Sequence, residues 1–163
     1  MKKIPLTHGK FTTVDDVDYE WLNQWKWHAH ETNNIWYAAR VCHKNGKNKR
    51  IYMHREITHA LPKEEVDHKN QNSLANWRDN LRTCTHAENL CNQRPRKGCS
   101  SQFKGVHWFK RHKLWMAQIT KNGKKYFLGY YKSEIDAAKV YDRKAIEIFG
   151  EYAHTNILRG SAL

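Results

Sequence analysis

The sequence predicts an α+β protein in two parts, and three observations support this prediction. Two Asn-Gly pairs, at residues 45–46 and 122–123, each lie between extended runs, which is the strongest short signal for a β-hairpin. Apolar side chains recur at helical spacing over residues 135–148. A segment with proline, glycine and three cations at residues 92–98 interrupts the apolar pattern, as a linker does. We therefore predict a domain at residues 1–93, a basic linker at 94–98, a domain at 99–158 and a tail at 159–163.

The first part is predicted to begin with a β-rich extension. Short strands are expected near residues 10–14 and 25–30, separated by an acidic turn and a short helix near residues 19–24. Two further runs, residues 35–42 and 48–54, flank the first Asn-Gly turn. That hairpin is basic and contains no acid. Two interpretations of it are equally open: a solvated surface hairpin and a hairpin that binds phosphate.

The second part is predicted to be a three-stranded antiparallel sheet packed on one helix. The strands are expected at residues 103–107, 114–120 and 124–130. Ser133 and Asp136 resemble a capping box that begins the helix, and Gly150 ends it. The apolar stripe of this helix should cover one face of the sheet, which leaves cations and aromatic side chains on the other face.

The charge of the chain indicates a long anionic partner. Lys and Arg number 29 against 16 acidic residues, a net charge of +13, and the excess is present on both sides of the predicted linker. Such a distribution indicates a binding surface that spans both parts rather than one basic tail. It favours double-stranded DNA or another nucleic acid as the partner. An incidentally basic protein remains the alternative. Aromatic residues make up 12% of the chain, so it can still build cores.

Several protein classes are excluded by composition. No run of about 18 apolar residues exists, so we expect no membrane span. The first residues lack the apolar stretch of a signal peptide, which predicts a soluble cytoplasmic protein. The four cysteines form no close pair, so we expect reduced thiols and no structural zinc.

Residues 66–89 hold the densest chemistry of the sequence. Asp67 and His68 end a predicted strand whose partner follows Asn80. Thr85 and Glu88 then fit a capping box, which predicts a helix from about residue 86. In such a strand–loop–strand–helix unit, one side chain from the strand and one from the helix could share a metal ion.

Three side chains of this segment match the needs of phosphodiester hydrolysis. The reaction needs an activated water, a cation on the phosphate and stabilisation of the leaving oxygen. A histidine such as His68 suits the first task. Carboxylate and amide oxygens such as those of Asp67 and Asn89 suit Mg²⁺. Since adjacent residues of a regular strand point to opposite faces, we expect a bend between Asp67 and His68.

These motifs resemble those of the HNH homing endonucleases, whose active unit is a ββα-metal fold. The matching segments are residues 14–21, 54–56, 66–69, 79–82 and 87–89. The resemblance implies that His68 is the general base and that Asn80 braces the loop and orients this base. It further implies that Asp67 and Asn89 hold Mg²⁺ or Mn²⁺. Many members have histidine where this chain has Asn89. This difference leaves open which metal is preferred and whether one or both DNA strands are cut.

For three nearby residues the sequence indicates a role less specifically. His54 is expected to be a packed histidine beneath the site. His86 is expected to be exposed on the first turn of the helix, with a substitute metal ligand as the alternative. Arg82 could bind DNA phosphate or could be a surface cation, and both remain open.

The second part resembles the plant ethylene-response-factor (Apetala-type) DNA-binding domain. The matching segments are residues 100–108, 115–119, 126–131, 137–143 and 150–156. The resemblance implies that the sheet enters the major groove and that five positions contact DNA, namely Lys104, His107, Gln118, Lys125 and Phe127. Several arginines of the plant family are replaced here, so the target sequence does not carry over. Further phosphate contacts are expected from Lys110 and Arg111 in a hairpin turn and from Arg94 and Arg96 in the linker.

The sequence as a whole is therefore interpreted as a homing-type DNA endonuclease of phage or mobile-element origin, acting in a bacterial host or a phage-infected cell. We expect a monomer. A DNA-binding regulator with a degenerate, inactive nuclease unit is the first alternative. A nuclease without sequence preference is a further alternative. The large second part, which resembles a DNA-binding domain, argues against it.

Overall fold

The computed structural model describes residues 1–44, 46–93 and 98–158. These residues fall into two compact units that divide between His86 and Ala87. Four residues of the predicted basic linker, 94–97, and the predicted tail lie outside the described residues, so the predicted domain limits stay predictions. No helix among the described residues is both long enough and apolar enough to cross a membrane.

The first unit contains three small antiparallel sheets and two short helices. The first sheet pairs β1 (Lys2–Pro5) with β2 (Phe11–Val14), and α1 (Asp16–Leu22) follows it. The second sheet contains β3 (His28–Thr32), β4 (Ile35–Lys44) and β5 (Lys47–Tyr52), and α2 (Met53–Thr58) follows it. The third sheet pairs β6 (Glu65–His68) with β7 (Leu81–Cys84). The next helix, α3 (His86–Asn92), begins at the last residue of this unit.

One apolar core joins the elements of the first unit. Its members come from β1, β2, α1, β4, α2 and β7 and from the residue before β3, and they are Ile4, Val14, Leu22, Trp27, Ala38, Met53, Ile57 and Leu81. The 3₁₀ turn Arg78–Asn80, which leads into β7, is tied to α1 by an ion pair in which Asp18 is buried and Arg78 is half-exposed. Arg78 donates through Nε and Nη2 to the two carboxylate oxygens of Asp18, at 2.8 and 2.7 Å. Burial would raise the pKa of Asp18, but the hydrogen bonds from Arg78 and Trp21 lower it below its ordinary value.

The second unit is a three-stranded antiparallel sheet with a helix on one face. The strands are β8 (Val106–Phe109), β9 (Leu114–Lys121) and β10 (Lys124–Tyr131), with β9 in the middle. Helix α4 (Glu134–Phe149) begins as predicted, because the Ser133 side chain accepts a hydrogen bond from the Asp136 amide. Its alanines and Tyr141 pack against Val106, Ala117 and Ile119 of the sheet. The protein is therefore a mixed α+β fold of small antiparallel sheets and few helices.

Candidate active site and nucleic-acid face

The loop between β6 and β7 is held by the buried side chain of Asn80. Its Oδ1 accepts from the Asn70 amide at 3.0 Å. Its Nδ2 donates to Asn70 Oδ1 at 3.0 Å and to the Ala75 carbonyl at 2.7 Å. An amide side chain suits this place because it offers a donor and an acceptor to two parts of one loop. Asn80 thus braces the loop beside His68.

The ring of His68 is held by a different asparagine, which the sequence analysis did not identify. His68 Nε2 lies 3.0 Å from Oδ1 of Asn76, and both side chains are buried. Asn76 Nδ2 donates to Thr12 Oγ1 at 2.8 Å, and Thr12 Oγ1 donates to the Leu74 carbonyl at 2.8 Å. We call Thr12, Asn76 and His68 the relay. The resemblance implied that Asn80 both braces the loop and orients His68, whereas in the structure Asn80 contacts the loop and Asn76 contacts His68.

The direction of the relay defines which nitrogen of His68 carries the proton. The Leu74 carbonyl can only accept, so the hydroxyl of Thr12 gives its hydrogen there and accepts from the Asn76 amide. The oxygen of Asn76 consequently faces His68, and Nε2 is the protonated nitrogen. Nδ1 is then the basic nitrogen of the neutral ring.

Burial keeps both histidines of this site neutral. Burial lowers the pKa of His68, although its hydrogen bond to Asn76 and the charge of Asp67 oppose this shift. The ring of His54 packs edge-on against His68 at 5.3 Å between centroids and stacks on Tyr52. Burial, with smaller contributions from His68 and Arg55, lowers the pKa of His54 to about 3. His54 is therefore a packed, uncharged ring beneath His68.

Asp67 forms a buried ion pair directly across the sheet. It lies opposite Arg82 in the register of β6 and β7. Its Oδ2 accepts from Nε of Arg82 at 2.9 Å and from Nη2 at 2.6 Å. The Arg82 side chain is only 9% exposed, so it is not the surface cation that the sequence left open. The register of β6 is regular through His68, and the bend that we expected between Asp67 and His68 is not present.

Asn89 and His86 lie on α3, which begins at residue 86 as the Thr85–Glu88 capping box predicts. His86 is exposed, and its Nδ1 lies 2.7 Å from a carboxylate oxygen of Glu65. No group of three or more His, Cys, Asp or Glu side chains is arranged to hold a metal ion within the described ranges. By chemistry, the carboxylate of Asp67 and the amide oxygen of Asn89 are the hard oxygen donors that Mg²⁺ prefers. The assignment of both residues as metal ligands stays a prediction.

The face of the second sheet that lies opposite α4 carries four of the five positions at which the resemblance implies DNA contact. Gln118 on β9 donates from Nε2 to Nε2 of His107 on β8 at 2.6 Å. Phe127 on β10 lies directly opposite Gln118 in the register. Lys125 is exposed near the turn between β9 and β10. Lys110 and Arg111 are exposed in the turn between β8 and β9, whereas Arg94 and Arg96 lie outside the described residues.

Lys104 has partners that the sequence did not predict. Its Nζ donates to the carbonyls of Leu90 and Cys91, at 3.2 and 2.6 Å, near the C-terminal end of α3. Burial lowers the pKa of this lysine to about 8, so it is still mainly protonated at neutral pH. A cation at a helix C-terminus is favourable because it neutralises the unpaired carbonyls there. Contact between Lys104 and DNA stays a prediction.

A β-bulge brings aromatic rings together on the same exposed face. The register between β10 and β9 shifts between Phe127 and Gly129. Residues three apart normally point to opposite faces of a strand, but the extra residue lets Phe127 and Tyr130 share one face. Their ring centroids are 4.9 Å apart, and Phe109 and His112 pack on Tyr130 at 5.3 and 5.2 Å. Trp115 packs instead against the core on the helix side.

Comparison with known proteins shows weak similarity to two different kinds of protein. A protein of Acanthamoeba polyphaga mimivirus, named an uncharacterized HNH endonuclease, is 36% identical over 91 residues, which is 56% of this chain and 46% of that protein. An AP2-like ethylene-responsive transcription factor of Arabidopsis thaliana is 36% identical over 61 residues, which is 37% of this chain and 13% of that protein. The chain thus spans less than half the length of each relative. No protein-family model matches it.

Proposed function

We propose that this chain is a metal-dependent DNA endonuclease of the HNH homing type, in which His68 is the general base. The observation that carries the proposal is the relay, which fixes the ring of His68 with Nδ1 as its basic nitrogen. A general base must be neutral before it acts, and burial favours the neutral ring of His68. The name of the mimivirus relative gives independent support for a nuclease.

In the proposed mechanism, Nδ1 of His68 takes a proton from the water that attacks the phosphorus. Asn76 holds the opposite side of the ring through Nε2, and Asn80 keeps the loop in place. Asp67 and Asn89 would hold Mg²⁺ or Mn²⁺, which when bound supplies positive charge to the scissile phosphate and the leaving 3′ oxygen. Arg82 orients the carboxylate of Asp67 through its two hydrogen bonds.

The second unit is proposed to bind the DNA duplex through its exposed sheet face. Its two hairpin turns are rich in lysine and arginine, which bind phosphates without regard to sequence. A sheet face is narrow enough to enter the major groove, which is about 12 Å wide. The name of the Arabidopsis relative, a transcription factor, supports DNA binding by this part of the chain.

One observation favours a second candidate, a DNA-binding regulator that does not cut. Arg82 places a guanidinium on Oδ2 of Asp67, so the charge of this carboxylate is already compensated within the protein. A metal ion would have to bind a carboxylate that is shared with this cation. In the regulator, the ion pair would serve stability alone.

Conversion of supercoiled plasmid DNA separates the two candidates. The plasmid should carry the DNA that flanks the coding sequence, and the assay should compare Mg²⁺ and Mn²⁺ with EDTA. The endonuclease predicts metal-dependent nicked or linear product that is lost in His68→Ala. His43→Ala, an exposed histidine of the same unit, is the matched control and should cut like the wild type. Salt-sensitive binding without cleavage in either metal would instead support the regulator.

A further inference from the structure

The exposed face of the second sheet combines an apolar centre with charged ends. Gln118 and Phe127 lie opposite each other on β9 and β10, and the Phe127 side chain is 59% exposed. Cations lie at both ends of this face: Lys110, Arg111 and Lys113 in the turn between β8 and β9, and Lys125 beside the turn between β9 and β10. The eight residues of β9 span about 25 Å. This arrangement complements a duplex, in which phosphates flank a groove lined by base edges.

We propose that this face reads A·T base pairs in the major groove, with Gln118 binding adenine and Phe127 contacting the methyl group of thymine. Adenine presents N7 as an acceptor and its N6 amino group as a donor, which a carboxamide matches with two hydrogen bonds. Thymine is the base that presents an apolar group in this groove. The proposal rests on the proposed binding of duplex DNA and is independent of whether the chain cuts it.

The Gln118 side chain is oriented for this contact by His107. Its Nε2 donates one hydrogen to His107 Nε2, which leaves the second hydrogen and Oε1 for a base edge. Burial and the charge of Lys125 lower the pKa of His107, so the ring is neutral and can accept. The backbone amide of Gln118 is held by the Gly105 carbonyl at 2.8 Å. A side chain that is oriented before binding loses less entropy when it binds.

Phe127 is oriented by its aromatic neighbours. The bulge after Phe127 lets Tyr130 pack against one side of its ring, with centroids 4.9 Å apart, while most of the ring faces solvent. Strands β8, β9 and β10, all of whose residues the structure describes, contain no arginine. Arginine is the side chain that most often reads guanine. Both observations favour A·T over G·C at the centre of this face.

The test uses the full chain in EDTA, so that DNA remains intact. Selection from a random duplex library should enrich A·T pairs, and Gln118→Arg should shift one enriched position towards guanine. Within the selected duplex, replacing thymine by deoxyuridine removes the methyl group and should weaken wild-type binding about fourfold. The duplex affinity of Phe127→Ala should not change with this replacement. Tyr126→Ala is the matched control, because Tyr126 pairs with Ile119 and lies on the helix side.

The contact between Gln118 and adenine is tested in the same way. Replacing adenine by 7-deazaadenine removes the N7 acceptor and should weaken the wild type about fivefold, but not Gln118→Ala. Duplex binding that is indifferent to both replacements, or selection of G·C pairs, would overturn the inference and leave the proposed function intact. Absence of duplex binding even at low salt would overturn the proposed DNA function itself, and the inference with it.

Discussion

At the scale of single residues, the relay shows how an element distant in sequence can control His68. Thr12 and Asn76 are 64 positions apart, yet their hydrogen bond orients the amide that faces the imidazole. Both residues are fully buried, so water does not compete for these bonds. Thr12 is therefore a positioning residue, since it acts on the reaction only through Asn76 and His68.

Thr12→Val should slow cleavage without weakening DNA binding. Valine keeps the shape of threonine but removes the hydroxyl, so the Asn76 amide is no longer held in one orientation. We expect single-turnover cleavage to fall about tenfold, as for other residues that orient a histidine at a metal site. Thr12→Ser should restore the rate, and Thr13→Val is the control on the same strand. Wild-type cleavage by Thr12→Val would show that the relay does not position the base.

His54 should make the folded state sensitive to acid. Its pKa is lowered from 6.5 to about 3 by burial, so between these values only the unfolded chain binds the proton. The stability that the neutral ring contributes is complete above about pH 6.5. It is lost as the pH falls towards 3, by up to about 1.4 kcal/mol per pH unit. Urea unfolding at pH 7 and pH 5 measures this loss.

His54→Phe should reduce the difference between the two pH values, because phenylalanine does not titrate. The replacement keeps an aromatic ring against Tyr52 and His68. His43→Phe, at an exposed position of the same unit, should keep the wild-type difference. An unchanged pH dependence in His54→Phe would mean that other groups cause the loss of stability.

At the scale of elements, two lysines of the second unit should separate stability from DNA binding. Lys104 donates to the last turn of α3, whereas Lys125 is exposed near the turn between β9 and β10. Lys104→Met should lower the free energy of unfolding by about 1 kcal/mol, because it removes a cation from a helix end. Lys125→Met should leave stability unchanged and reduce the salt dependence of duplex affinity by one phosphate contact, a slope change of about 1.

Thermal unfolding and fluorescence anisotropy across a salt series check this pair of variants. If Lys104→Met reduced the salt dependence as much as Lys125→Met and left the unfolding temperature unchanged, the helix-end role of Lys104 would be contradicted.

The elements with strong local signals could be predicted from the sequence. The antiparallel strands of the second unit and helix α4 follow from turn residues, spacing and a capping box. Helix α2 was missed because it has only six residues and is stabilised by burying Met53, His54 and Ile57 rather than by sequence signals. The bulge in β10 was missed although Gly129, an isolated glycine inside the strand with positive φ, is a sequence signal for one. Similarly, a motif could indicate His68 and Asn80, but no local pattern indicates Thr12 as their neighbour in space.

At the scale of the whole molecule, we expect that the proposed base and the proposed base reading can be lost separately. The proposed base lies in the first unit, and the proposed reader of A·T pairs lies in the second. His68→Ala should therefore keep wild-type duplex affinity while losing cleavage. Phe127→Ala should weaken affinity but keep the cleavage rate at saturating protein. Anisotropy and single-turnover cleavage on one duplex check both variants, and equal loss of both activities in each variant would contradict separable units.

The central claim is that the imidazole of His68 takes the proton from the attacking water, and chemical rescue tests it most directly. His68→Gly removes the ring and leaves space in which free imidazole can bind. We expect this variant to bind DNA, to lose cleavage by about 100-fold or more, and to regain part of it when imidazole is added. Cleavage by His68→Gly at the wild-type rate without imidazole would contradict the claim.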